Sequence, residues 1–83
     1  MEKNISKPVV NEFEDSLIVA FLVLRGHQIT PCKRHNGRVI FEVTGDISQD
    51  IEAFYLNQEV SVLDYSRMVK SIRSSIFNLK AIK

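Results

Sequence analysis

Tryptophan is absent from this chain, and cysteine, proline and glycine number only one, two and three. With Cys32 alone, neither an intramolecular disulfide nor a cysteine-built zinc site can form. A fold without such staples suits a reducing compartment, and a cytoplasmic location is expected. The three glycines, Gly26, Gly37 and Gly45, lie too far apart to form a phosphate-cradling loop. His27 and His35 are the only histidines and belong to no HxxxH or histidine–acid cluster, so no metal site is expected. No nucleophile stands at motif spacing from a base. The expectation is therefore a non-enzymatic protein with no catalytic residues, no cofactor and no evident small-molecule substrate. Long apolar stretches are missing too. The longest, Leu17–Leu24, spans eight residues, against the ~20 needed to cross a bilayer. No membrane partner is expected, and the N-terminus lacks the basic-then-apolar pattern of a signal peptide.

What is present is ordinary in bulk and ordered in detail. At 83 residues the chain holds one domain, 45% hydrophobic and 25% charged, with a net charge of +1. The neutrality hides blocks. Residues 25–38 carry Arg25, Lys33, Arg34 and Arg38 without an acid, and residues 42–64 carry Glu42, Asp46, Asp50, Glu52, Glu59 and Asp64 without a Lys or Arg. From residue 65 on, Arg67, Lys70, Arg73, Lys80 and Lys83 stand without an acid. Such blocks usually attract one another across a fold; a field for a charged ligand is the sharper alternative.

Residues 1–12 are polar and aperiodic and are expected as a flexible arm, with a short strand possible at 7–10; residues 13–83 form the domain. A helix is expected from Phe13 to Arg25, capped by Asp15 or Ser16 and closed by Gly26. Phe13, Leu17, Ala20, Phe21 and Leu24 would line its inner face. Asn36-Gly37 then marks a two-residue hairpin turn between strands at 27–35 and 38–44. That turn pairs His35 with Arg38, Lys33 with Ile40, Cys32 with Phe41 and Thr30 with Val43, leaving Cys32 as a small core filler. Pro31 marks the first strand as an edge or a bulged one. Asp46 or Ser48 can cap a second helix to about Leu56, and the acids Asp46, Asp50 and Glu52 suit its start. After a linker, Ser61 and Asp64 form a capping box for a last helix with Tyr65, Met68, Val69, Ile72, Ile76 and Leu79 inward. The order is helix, β-hairpin, helix, long C-terminal helix: an α+β domain whose small antiparallel sheet packs on helices.

The Leu17–Gly26-His27 segment, Asn36-Gly37-Arg38-Val39-Ile40-Phe41-Glu42, Phe54-Tyr55-Leu56-Asn57 and the closing Leu79-Lys80 together resemble a family of small domains of unknown function. These occur in bacteria and their phages or mobile elements. The resemblance covers roughly residues 13–82. It implies the α+β architecture and supplies no active site. Here the tyrosine–asparagine segment lacks the glycine that the family carries.

Two features point to binding. Ile18, Val19, Leu22 and Val23 exceed what one helical face can hide, so they are a candidate protein interface, to a partner or to a second copy as a homodimer. Lys33, Arg34, His35 and Arg38 crowd the hairpin tip, and Arg67, Lys70 and Arg73 follow on the last helix; these are candidate nucleic-acid contacts. Base recognition would also need a stacking group, and no aromatic is expected exposed beside them. A protein-interaction or self-associating module is the first expectation, a nucleic-acid-binding accessory protein the alternative.

Overall fold

The computed structural model describes residues 10–81. In chain order its elements are β1 (Val10–Phe13), α1 (Ser16–Leu24), β2 (Ile29–Lys33), β3 (Val39–Thr44), α2 (Ser48–Tyr55) and α3 (Val62–Ala81). The fold class is α+β as the sequence indicates, with a third strand added. β1 pairs antiparallel with β3 on the side away from β2, giving the order β1-β3-β2. Residues 10–12, expected in a flexible arm, therefore belong to the sheet; residues 1–9 lie outside the described residues.

Strand formation takes Phe13 away from the helix expected to start there and sets it opposite Phe41. Asp15 then caps α1, accepting the Leu17 N–H at 2.8 Å. At the other end Gly26, at φ +98°, closes the helix. Its N–H reaches the Val23 carbonyl and the His27 N–H reaches that of Leu22, the paired bonds of a Schellman motif. Asn57 does the same for α2 at φ +64°, with Gln58 N–H on Ala53 O and its own N–H on Phe54 O. Asparagine thus takes a left-handed position, which its short polar side chain tolerates better than most others.

The hairpin departs from expectation by one residue. Arg34 N–H bonds Arg38 O at 2.8 Å and Gly37 N–H bonds Arg34 O at 2.9 Å, so the loop is His35-Asn36-Gly37. Only Gly37 is at positive φ (+85°), which is a turn followed by one left-handed residue rather than a two-residue turn. The Asn36 side chain accepts the Arg38 N–H instead of moving its own backbone to positive φ. Cys32 consequently pairs with Ile40, Lys33 with Val39, Pro31 with Phe41 and Ile29 with Val43. A one-residue slip exchanges faces. Cys32 is half-buried on the outer face, not packed beside Phe41. Pro31 falls at a non-hydrogen-bonded pair of an edge strand, where its missing N–H costs the ladder nothing.

α1 packs against α3, α2 and the sheet. Val19 and Ala20 meet Val39 and Phe41 of β3 and Val69 and Ile72 of α3. Ile18 and Leu22 meet Val43 and Ile47, with Ile51 and Phe54 of α2 against them. An all-round apolar helix is a buried helix. The candidate interface of Ile18, Val19, Leu22 and Val23 is thereby corrected: the first three are core and Val23 is half-buried, while Leu17 and Leu24 of the expected inner face are exposed.

Candidate functional site

Three polar constellations and one apolar edge follow from this arrangement. The first sits where the C-terminus of α1 meets the N-terminus of α2. Asp50, in the first turn of α2, bonds His27 Nε2 at 2.6 Å and Arg25 Nε at 2.8 Å. Both helix ends favour this polarity, cations at the C-terminus and an anion at the N-terminus. The His27 bond, followed by Arg25, holds the Asp50 carboxyl below its ordinary value although burial opposes it. Arg25 also lies over the Phe21 ring, 5.8 Å from its centroid. Beside it Asp46 accepts both the hydroxyl and the backbone N–H of Ser48, which lower its pKa. Ser48 is bound to Asp46 and not to His27, so the cluster ties two helices together without aligning a nucleophile on a base.

The second constellation is the hairpin end. Arg34 reaches across the outer face to Glu12 of β1 at 2.7 Å and lies 4.0 Å from Glu42 of β3. Arg38 grips Glu14 with two bonds, Nε at 2.7 Å and Nη2 at 2.8 Å. His35 and Lys33 are exposed. The third is the flank of α3 facing the start of α1. Tyr65 donates its hydroxyl to the Leu17 carbonyl at 2.9 Å, and Arg73 Nε rests 3.4 Å from Ser16 Oγ. Burial, then the Asp15 charge, raise the Tyr65 phenol against the opposing Arg73.

Of the candidate nucleic-acid contacts, then, Arg34, Arg38 and Arg73 converge on the five-residue segment 12–16, but with Glu12, Glu14 and Asp15 interleaved. Arg67 and Lys70 stand exposed earlier on α3. Sequence reasoning missed the Arg25–Asp50–His27 tie, although its signal was the alternation of basic and acidic blocks. It also missed Phe77, which is 73% exposed on α3.

The apolar edge is the stretch from the end of α2 to the start of α3. Tyr55, Leu56, Val62 and Leu63 are 65–74% exposed, and Val60 shares a groove with Leu24, Arg25, Ser61 and Asp64. A groove of about 430 Å³ runs between β1, the Gly45 turn and α2. Its polar groups are satisfied internally: Asn11 donates to the Gly45 carbonyl at 3.1 Å, and Asp46 holds Ser48. Among the described residues no buried polar side chain lacks a partner, no three His, Cys, Asp or Glu side chains converge for a metal ion, and no helix is long and apolar enough to cross a membrane. Set against protein-family models, curated proteins and solved structures, the chain matches none.

Proposed function

We propose that this protein works by binding protein, that the contact is the apolar edge between α2 and α3, and that the partner is a second copy of the chain. The carrying observation is the exposure of Leu56, Val62 and Leu63 within one short stretch. A monomer rarely leaves so many large aliphatic side chains together in water. The rim supplies the choice of occupant. Asp64 and Arg67 lie one turn apart on the flank of Leu63, are opposite in sign, and have no ion-pair partner among the described residues. In a twofold contact, Asp64 of each copy faces Arg67 of the other, so the surface is complementary to itself.

The magnitudes set the affinity range. Burying several hundred Å² of apolar surface at ~25 cal/mol per Å² gives an energy of the same order as the cost of association. A dimer that dissociates at micromolar concentrations is the expected result. Sedimentation velocity over a dilution series tests it. Leu63→Glu should yield a monomer with unchanged circular dichroism, because Leu63 lies outside the core. A wild-type monomer at every soluble concentration would overturn the reading.

A further inference from the structure

The two basic blocks of the chain meet different fates. In the 25–38 block Arg25, Arg34 and Arg38 are paired with Asp50, Glu12 and Glu14. In α3, by contrast, Lys70 and Lys80 have no ion-pair partner among the described residues, and no acid occurs after Asp64. Lys70, Arg73, Phe77 and Lys80 recur at i, i+3, i+7 and i+10. Helix geometry gathers them within about 80° of the circumference and along about 15 Å of its length. Phe77, at 73% exposure, stands between Arg73 and Lys80 and serves no part of the core. Arg73 is steadied by Ser16 Oγ. Asp15, the acid next to Ser16, is occupied in capping α1.

We propose that this flank binds single-stranded nucleic acid, the cations meeting phosphates and Phe77 stacking on a base. An exposed ring between cations matches the alternation of bases and phosphates along a single strand. Charge alone would suit any polyanion; the ring needs a flat, unstacked partner, which neither an acidic peptide nor an intact duplex offers. The flank begins beyond Leu63, Asp64 and Arg67 along α3 and uses none of them, so the inference does not rest on self-association.

Fluorescence anisotropy with labelled oligo-dT and oligo-rU at low salt is the test. Binding should weaken with added salt, and Phe77→Ala should cost about tenfold in affinity. Lys70→Ala with Lys80→Ala should reduce the log–log salt slope by about 1.4, two single-strand phosphate contacts. All three side chains are exposed, so circular dichroism should stay unchanged. Leu63→Glu should bind as the wild type does, which separates this result from the test of dimerisation. No binding at low salt, indifference to Phe77→Ala, or equal binding of polyglutamate or of a duplex would each overturn the proposal.

Discussion

Arg34 sits where two carboxylates oppose each other. Glu12 and Glu42 are direct partners across β1 and β3, and like charges so placed repel. The Arg34 guanidinium, near both, makes that pairing tolerable. Arg34→Ala should therefore lower stability by up to about 1 kcal/mol, the upper range for an exposed pair. Adding Glu42→Gln should recover part of the loss; a denaturant double-mutant cycle with no coupling would refute the role. Asp50 offers a pH test. Its folded-state pKa lies below the ordinary 3.8, so its contribution is present above that value and is lost as pH falls through the depressed one. Asp50→Asn should be less stable than wild type near neutrality, with the gap closing in acid. A gap constant with pH would contradict the assignment. Neither the Arg34–Glu12 nor the Asp50–His27 contact was readable from sequence, because each joins residues more than twenty positions apart. Only the alternation of charge blocks announced that such pairs would exist.

At the scale of elements, α1 shows what periodicity cannot decide. Eight successive apolar residues fit any face, and the burial of Ile18, Val19 and Leu22 depends on having α2 on one side and α3 on the other. Leu22→Ala should cost about 2–5 kcal/mol by leaving a cavity among Ile18, Val43 and Ile47. A loss well under 1 kcal/mol in urea titration would mean the site is not packed as described. The hairpin shows a similar boundary. Asn36-Gly37 located the turn and Val39–Thr44 its return strand, but the side-chain bond from Asn36 to Arg38 N–H selected the longer loop and so exchanged the faces of β2. β1 was missed as a full strand because four residues with Glu12 between Asn11 and Phe13 carry little pattern of their own. Its pairing is set by β3. The helix ends were legible in part: Asp15 caps α1 and Gly26 closes it as their chemistry requires. But α2 starts on Ile47 with no side-chain cap bond in place of the expected Asp46 or Ser48 cap, and Asn57, expected in a linker, closes it at some conformational cost. Asn57→Gly should raise stability by about 0.5 kcal/mol or more, relieving positive φ on a residue with a side chain. Thermal denaturation that shows destabilisation would argue against the left-handed cap.

For the whole molecule, the pattern is one of charges spent and charges left over. The block at 25–38 is largely absorbed by neighbouring acids, whereas Glu59, Asp64 and Arg67 remain at the surface around the apolar edge and Lys70, Arg73 and Lys80 farther along α3. Sequence blocks foretold the first half of this and placed the apolar excess in the wrong element, since exposure at residues 55–63 follows from how α2 turns into α3. Self-association through that edge is the central claim, and its rim charges make it directly testable. Sedimentation of Asp64→Arg should show a weakened dimer, because each copy then sets a second guanidinium against Arg67 of the other. The double variant Asp64→Arg with Arg67→Asp should restore association to near the wild-type level. A wild-type dimer indifferent to both changes, or a double variant no better than the single, would contradict this interface.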